Sequence, residues 1–305
     1  MILSAGLSPA WQQILSVETL RVGEVNRASQ AVWCASGKVL NVGIALAHLG
    51  GTSRTISVLG GSQADRIQRE FAELAAPARW VRVAAPTRIC TTVLDARSGQ
   101  TTELVENAGT LTAEEIEDFV AAYEEDVTQA EMVVLTGSLP RGTPATFYSD
   151  LLAKTKCPTI LDFRGKELEA ALVHKPLVVK PNREELGQTV GRVLENEDDL
   201  RRAMHEVADR GAQWVVVSDG GGPLRVASPS EFLRFQPPKI QVVNPIGCGD
   251  CLAAGLAWAL RAGRDMPAAA RFGIAAAAEN ATMLLPGRLD PAQVEARAKQ
   301  VEQVS

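Results

Sequence analysis

The sequence predicts an α/β fold in which a doubly wound, mainly parallel sheet has helices on both faces and a small β-sheet forms a lid. Short β-rich runs alternate with longer segments whose apolar residues recur at helical spacing, an order typical of parallel sheets. Two stretches, residues 9–37 and 87–106, break this rhythm with strand-like patterns. A composition of 46% hydrophobic and 22% charged residues over 305 positions is that of a globular protein with a large core.

The strands of the main sheet are expected in five short runs rich in β-branched residues. These runs are residues 80–85, 131–137, 158–163, 176–182 and 213–222. Three intervening segments carry the helical spacing, namely residues 112–127, 144–156 and 197–211. Because strands and helices alternate, we expect parallel strands joined by helical crossovers.

The two stretches that break the rhythm are expected to contribute antiparallel strands to one small sheet, which stands off the main body as a lid. Residues 87–106 contain two strand-like runs around the turn signal Ser98-Gly99. Residues 9–37 have a similar pattern, so both stretches would be excursions from a single α/β domain. The predicted lid is thus residues 9–37 and 87–106, and the predicted α/β domain is residues 1–8, 38–86 and 107–305.

Charge and cysteine content exclude several functional classes. The chain has 31 Lys and Arg against 36 Asp and Glu, so no net positive field attracts nucleic acid or an anionic membrane. No run of about 18 apolar residues occurs and the amino-terminal apolar stretch has no basic region ahead of it, so a cytoplasmic protein is expected. Cys248 and Cys251 form a C-x-x-C without a second Cys or His pair at zinc spacing, which disfavours metal or redox use. A small-molecule ligand is favoured.

The clearest candidate site is the turn Gly247-Cys248-Gly249-Asp250, which precedes an apolar segment. In open parallel sheets, ligands bind beyond the carboxyl ends of strands, where such a turn leads into a helix. Unpaired N–H groups at the helix start can bind a phosphate, and glycines allow its close approach. The Asp250 carboxylate could accept a proton from an attacking hydroxyl, or it could simply cap the helix. The spacing alone leaves both interpretations open.

Four motifs in the correct order resemble those of the ribokinase-like, phosphofructokinase B type sugar kinases. Residues 244–250 (NPIGCGD) resemble the signature D/N-x-x-G-A/S-G-D, and residues 36–42 (SGKVLNV) resemble G-G-K-G-x-N-V. Residues 136–140 (TGSLP) and 179–186 (VKPNREEL) resemble the middle motifs. Several spaced motifs are more specific than any one alone, and the likeness extends from Leu7 to Pro286. Similarity to the 1-phosphofructokinase and tagatose-6-phosphate kinase branch comes from residues 23–26, 87–89 and 102–104.

The resemblance implies a ribokinase-like fold and a kinase that moves the γ-phosphoryl group of ATP to a hydroxyl of a ketohexose phosphate, such as fructose 1-phosphate or tagatose 6-phosphate. It implies that Asp250 activates the hydroxyl, while the N–H groups of Gly247, Cys248, Gly249 and Asp250 hold the transferring phosphoryl group. Asn182 and Glu185 would organise Mg²⁺ through water, with a solvated helix face as the alternative.

The resemblance also implies two sets of binding residues. Nucleotide binding is expected at Lys180, Asn182, Glu185, Ser218, Gly220, Gly222, Gly247 and Gly249. Sugar-phosphate binding is expected at Gln12, Gly37, Lys38, Asn41, Arg88, Ser138 and Asp250. The alternatives are a surface cation for Lys38 and Arg88, a local backbone contact for Ser138 and a plain turn for residues 218–222.

The sequence departs from the family pattern mainly in the sugar site. Gln12 stands where the family has a sugar-binding aspartate, and Ser36 and Val39 replace glycines of the first signature. These changes leave the identity of the sugar phosphate undetermined. They also keep open the alternative of a catalytically silent sensor that binds sugar phosphate and nucleotide.

A dinucleotide-dependent oxidoreductase is disfavoured because no G-x-G-x-x-G follows the first strand. We also expect a homodimer through the lid, whose exposed strand edges invite pairing.

Overall fold

The computed structural model describes residues 1–304, in which strands and helices alternate along most of the chain. The strands are β1 Ile2–Ala5, β2 Ala10–Val17, β3 Gln30–Ser36, β4 Ser53–Leu59, β5 Ala78–Arg82, β6 Arg88–Asp95, β7 Thr101–Val105, β8 Met132–Thr136, β9 Thr159–Asp162, β10 Val178–Val179, β11 Trp214–Val217, β12 Leu224–Ala227, β13 Phe232–Gln236 and β14 Glu302–Val304. The helices are α1 Lys38–His48, α2 Gln63–Glu73, α3 Ala113–Val127, α4 Phe147–Ala153, α5 Gly165–Ala171, α6 Arg183–Val190, α7 Glu197–Asp209, α8 Cys248–Arg261, α9 Met266–Ala281 and α10 Pro291–Ala298.

The main sheet is ten-stranded, with the order β14-β13-β12-β11-β10-β9-β8-β1-β4-β5. All pairings from β5 across to β11 are parallel, and β12, β13 and β14 add an antiparallel edge. The predicted mainly parallel sheet is therefore confirmed. Each of the five predicted strand runs contains or overlaps one strand, whereas the antiparallel edge was not predicted.

Both faces of the main sheet are buried under helices, which confirms the doubly wound architecture. Successive residues of a strand point to opposite faces, so Val133 and Val215 join one core while Val134 and Val216 join the other. The first core packs against α3 to α7, and the second packs against α1, α8, α9 and α10. Within residues 1–304, the helices are all too short or too polar to cross a membrane.

The third predicted helix, residues 197–211, is present as α7, and the other two are present as α3 and α4. The strand expected at 176–182 is shorter than expected, since only Val178 and Val179 pair as strand. Pro181 has no N–H to donate to a sheet, and Asn182 already caps α6, so the chain leaves the sheet early.

The second sheet is small and has the order β3-β2-β6-β7. Its two hairpins are antiparallel as predicted, and β2 and β6 join them by pairing in parallel, which was not predicted. The reason is that β2 follows β1 and β6 follows β5, so both strands enter the small sheet from the carboxyl ends of parallel strands. These four strands fall within residues 9–37 and 87–106. The division into a lid and an α/β domain stays a prediction.

Candidate active site

The side-chain amides of two buried asparagines fix the conformation of the turn before α8. Asn244 accepts a hydrogen bond from the N–H of Ile246 at 3.0 Å and donates to the carbonyl oxygen of Leu284 at 2.8 Å. Asn280, from α9, donates to the carbonyl oxygen of Ile246 at 2.8 Å. Gly247 then adopts φ +82°, and a Cβ there would lie 2.8 Å from Cβ of Pro286. Only glycine fits this position without strain, because it combines a left-handed backbone with a close neighbour.

This turn presents the start of α8 to the carboxyl edge of the main sheet. The N–H of Cys251 donates to the carbonyl of Gly247 at 2.8 Å, which is the first hydrogen bond of the helix. The N–H groups of Gly249 and Asp250 precede it and thus belong to the first turn, where no helical carbonyl is available. Together with the helix dipole they form a site that favours an anion.

Asp250 lies buried in that first turn, with 6% of its surface exposed. The side-chain amide of Asn41 donates to its Oδ2 at 2.7 Å. Burial, helped by the negative charge of Asp162, raises the pKa of Asp250 to about 6, while Lys38, Asn41 and Lys180 oppose the shift. A carboxylate with this pKa is ionised at neutral pH and can still accept a proton, which suits a general base.

Asp162, at the end of β9, joins two lysines of the site. Its fully buried Oδ1 lies 3.0 Å from Nζ of Lys38 and 3.2 Å from Nζ of Lys180, and Thr136 donates to Oδ2 at 3.2 Å. Burial works against ionisation of this carboxyl, but the two ammonium groups outweigh it and hold the pKa of Asp162 below its usual range. Likewise the pKa of Lys38 lies above its usual range, since the attraction of Asp162 and Glu185 exceeds the effect of burial.

Asn182 and Glu185 cap α6 reciprocally. Asn182 accepts from the N–H of Glu185 at 2.7 Å, and Glu185 Oε2 accepts from the N–H of Asn182 at 2.9 Å. Glu185 Oε1 faces two cations, 3.4 Å from Lys38 and 3.5 Å from Arg164. Within residues 1–304, no group of three acidic, His or Cys side chains could enclose a metal ion. An amide and a carboxylate suit a hydrated cation that also binds substrate phosphates, and the role of these two residues in holding Mg²⁺ stays a prediction.

The start of α1 brings three predicted sugar-site residues together. Gly37 has φ +89°, and a Cβ there would lie 2.8 Å from the carbonyl oxygen of Ser8, so glycine is required. Lys38 begins the helix and Asn41 lies one turn further on, where Ser36 donates to its Oδ1 at 3.1 Å. Gln12 is buried in β2 and donates to Oγ1 of Thr92 at 2.8 Å.

Arg88 and Ser138 lie around Ser8, at the connections between the two sheets. Arg88 donates to the carbonyl oxygens of Ser8 at 3.1 Å, Pro9 at 3.3 Å and Glu106 at 3.1 Å. Ser138 is exposed, and its Oγ donates to Oγ of Ser8 at 3.4 Å. A phosphate at Arg88 would therefore compete with backbone carbonyls, and the binding roles of both residues stay predictions.

The loop that follows β11 lies beside the start of α6. Ser218 forms a parallel bridge with Asn182, and its carbonyl accepts from the N–H of Arg183 at 3.1 Å. Gly220 has φ +54° and Gly222 donates its N–H to the carbonyl of Asp219 at 2.9 Å. The predicted nucleotide residues of this loop therefore adjoin those of α6, and their role stays a prediction.

Cys248 and Cys251 both contact the amide of Asn280, at 3.4 and 3.3 Å. Burial raises the pKa of Cys248 to about 11 and also raises that of Cys251. Both groups are thus thiols at neutral pH, and a thiol is neither a good nucleophile nor a good metal ligand.

Two residues of the site were missed in the sequence. Asp162 ends a correctly predicted strand run, and a carboxylate at the carboxyl end of a parallel strand was the available signal. Asn280 also accepts from the N–H of Gly287 at 2.8 Å and so joins α9 to two loops. Its signal was an amide in an otherwise alanine-rich helix.

The chain is similar to known proteins in both sequence and structure. The sequence profile of the pfkB family of carbohydrate kinases matches residues 10–287. The tetrameric inhibited form of phosphofructokinase-2 from Escherichia coli is similar at 25% identity, with 98% of each chain covered and a TM-score of 0.88. A possible 1-phosphofructokinase from Thermotoga maritima superimposes with a TM-score of 0.90, 22% identity and coverage of 100% of this chain and 99% of that chain.

A ribokinase from Thermotoga maritima has the same fold, with a TM-score of 0.78, 20% identity and coverage of 98% of this chain and 99% of that chain. The two matches below 25% identity bear on the fold alone, whereas the family profile spans most of the chain. The α/β architecture, the glycine turn at α8 and the profile all agree. The chain therefore belongs to the pfkB family of carbohydrate kinases and is a sugar kinase.

Proposed function

We propose that this kinase transfers the γ-phosphoryl group of ATP to a hydroxyl of a ketohexose phosphate of the fructose 1-phosphate or tagatose 6-phosphate class. The observation that carries the proposal is the position of Asp250, a buried carboxylate with a pKa near 6 in the first turn of α8. A base and a set of free N–H groups lie there side by side, as phosphoryl transfer requires.

In the proposed reaction, Asp250 accepts the proton and the first turn of α8 binds the phosphoryl group. The acceptor oxygen forms a bond to the γ-phosphorus, the bond from that phosphorus to the β,γ-bridging oxygen breaks, and the hydroxyl proton passes to Asp250 Oδ. The leaving group is ADP. N–H groups of Gly249 and Asp250 stabilise the charge on the equatorial oxygens, and Asn41 fixes the carboxylate for the incoming hydroxyl.

Both substrates carry phosphates, and the site has cations for them. Lys180 reaches the turn of α8, since its Nζ lies 3.5 Å from where a Cβ of Gly249 would be. Lys38 is the first residue of α1, and its Nζ shares Oδ1 of Asp162 with Lys180. We assign Lys180 to the nucleotide and Lys38 to the sugar phosphate. Mg²⁺, when bound through water by Glu185, would offset the charge of the nucleotide phosphates.

The ketohexose phosphate is proposed from the sequence branch and from the name of one similar protein, a phosphofructokinase-2. Gln12 limits this inference. Its amide is buried against Thr92, and a neutral amide lacks the charge-assisted part of a bond to a sugar hydroxyl, worth about 1 kcal/mol. This substitution keeps a second candidate open, namely a catalytically silent sensor of sugar phosphate and nucleotide.

One experiment separates these candidates. ADP release is measured with fructose 1-phosphate, tagatose 6-phosphate, fructose 6-phosphate and unphosphorylated fructose, and ATP binding is measured in parallel. The kinase proposal expects release with at least one sugar phosphate and little with fructose. ATP binding without turnover of any sugar phosphate would instead select the sensor.

We further propose that two copies associate through the small sheet. Its outer strands β3 and β7 have free edges, and Trp33 and Leu104 on these strands are exposed at 42% and 62%. Exposed apolar edge strands favour pairing with another chain. The similar phosphofructokinase-2 is a tetramer in one of its forms, which supports an oligomer without fixing its interface.

A further inference from the structure

Five side chains of alternating charge form a row of ion pairs in the site. It runs from Arg164 to Glu185 at 3.5 Å, to Lys38 at 3.4 Å, to Asp162 at 3.0 Å and to Lys180 at 3.2 Å. The Lys180 end lies against the start of α8, where the moving phosphoryl group is proposed to bind. The row thus extends from the reacting centre outward.

The two ends of the row differ in exposure. The Lys180 side chain is 3% exposed and is held by the buried Asp162. The Arg164 side chain is 56% exposed, and within residues 1–304 its one ion pair, with Glu185, is long at 3.5 Å. Exposed pairs of this kind contribute little energy, so the guanidinium is free to change partner. Arg164 is therefore the cation of the row that a ligand can recruit at the smallest cost.

The backbone fixes where that guanidinium starts. Arg164 is the residue before α5, two positions after Asp162 at the carboxyl end of β9. It therefore stands at the edge of the sheet where ligands of this architecture bind. A guanidinium can form two parallel hydrogen bonds with a phosphate, which gives it a strong preference for such anions.

We propose that Arg164 is a further nucleotide-binding residue, whose guanidinium leaves Glu185 to pair with a phosphate of the bound nucleotide. This inference rests on the proposed function. The nucleotide is favoured over the sugar phosphate because Arg164 contacts Glu185, which caps α6 together with Asn182, and both of these residues are expected at the nucleotide. Lys38, assigned to the sugar phosphate, also contacts Glu185, but Arg88 and Ser138, the other two polar residues expected for that phosphate, lie around Ser8.

The test compares Arg164→Ala and Arg164→Lys with the wild type. Equilibrium binding of ATP and ADP is measured by calorimetry without sugar phosphate, and KM for both substrates is measured by ADP release. Loss of a charge-assisted pair predicts nucleotide binding about 10- to 100-fold weaker in Arg164→Ala. Arg164→Lys should recover part of this loss, since it restores charge without the bidentate geometry. The KM for sugar phosphate should change less than about twofold.

Arg192→Ala is the matched control. Arg192 is 44% exposed and pairs with Glu206 at 2.9 Å, and no ion pair among residues 1–304 joins either of them to the row. Its removal should leave nucleotide binding unchanged, and thermal unfolding of all three variants should match the wild type. Unchanged nucleotide binding in Arg164→Ala, or an effect only on KM for the sugar phosphate, would overturn the inference.

Failure of this inference is distinguishable from failure of the proposed function. If the wild type phosphorylates a sugar phosphate and the Arg164 variants bind nucleotide as it does, only the role of Arg164 is wrong. If the wild type binds nucleotide and turns over no sugar phosphate, the kinase reaction is wrong, while the calorimetric comparison still decides the role of Arg164. If the wild type binds no nucleotide, both are wrong.

Discussion

Asn41, on α1, donates its side-chain amide to Oδ2 of Asp250, on α8, at 2.7 Å. The bond joins the helix that begins the sugar site to the helix that begins the phosphoryl site, across 209 positions of sequence. It stabilises the ionised carboxylate and fixes its orientation at once. The catalytic prediction for Asp250 thus depends on a neighbour whose own role was expected only in sugar binding.

Replacement of Asn41 by Leu should raise the pKa of Asp250 further, because the carboxylate loses a donor while burial remains. We expect the acid limb of kcat/KM to move to higher pH and kcat to fall by about tenfold at neutral pH, as for loss of a bond to a charged group. The measurement is a pH profile of ADP release. Ser36→Ala, which removes only the support of Asn41, should show a smaller change in the same direction. An unshifted limb in Asn41→Leu would contradict this reading.

Replacement of Asp162 by Asn should have the opposite effect on the pH profile. The pKa of Asp250 is raised first by burial and second by the negative charge of Asp162. Removing that negative charge should therefore lower the pKa of Asp250. The wild-type limb should lie near pH 6, with activity lost as pH falls through this value, and the variant limb should lie lower. KM for both substrates should rise, because both lysines lose their shared partner.

Asp126→Asn provides the control for that experiment. Asp126 is another buried carboxylate paired with an arginine, Arg54 at 2.7 Å, but it lies away from the site. Its removal should leave the pH limb in place even if stability falls. A limb that moves equally in both variants would mean that the shift is not local.

Replacement of Gly247 by Ala should cost both stability and activity. A left-handed backbone costs an alanine roughly 1–2 kcal/mol, and the new Cβ would also meet Pro286 at 2.8 Å. Gly263 has nearly the same φ of +81° with no atom within 4 Å of its Cβ position, so Gly263→Ala carries the backbone cost alone. We expect a larger fall in unfolding free energy for Gly247→Ala and a loss of kcat in that variant only. If both variants lost the same unfolding free energy and the same kcat, the turn at Gly247 would have no specific role in catalysis.

Association through the small sheet is tested by Leu104→Lys. A lysine on the outer strand β7 should oppose edge pairing and shift the wild-type dimer towards monomer in sedimentation equilibrium. Val193, 80% exposed on the main body, serves as control, and Val193→Lys should leave the dimer intact. A monomeric wild type, or a dimer unaffected by Leu104→Lys, would refute the interface.

Much of the fold was predictable because local patterns determine it. Alternating β-rich runs and helical spacing located α3, α4 and α7 and the strands β5, β8, β9, β10 and β11, since these segments bury one face or both. The central strands β1 and β4 were not among the predicted runs. Strands β12, β13 and β14 were missed because a short antiparallel edge has weak periodicity. The parallel pairing of β2 with β6 depends on where both strands leave the main sheet, which no local pattern records.

The candidate site was predictable where backbone geometry demands a residue type. Gly37 and Gly247 have positive φ and close neighbours, and both stood out as motif glycines. Asp162 and Asn280 were missed because their roles arise from contacts between distant segments, such as Asp162 with Lys38, 124 positions away. The role of a buried polar side chain depends on the residues that it contacts, and the local sequence does not show which distant residues those are.

The most direct test is Asp250→Asn, measured for both binding and turnover with the preferred sugar phosphate. Asparagine keeps the size of the side chain but accepts no proton, so we predict unchanged ATP affinity within about threefold and a kcat lowered about 10²- to 10⁴-fold. If instead the variant releases ADP as fast as the wild type, Asp250 is not the base, and the account of this site is wrong.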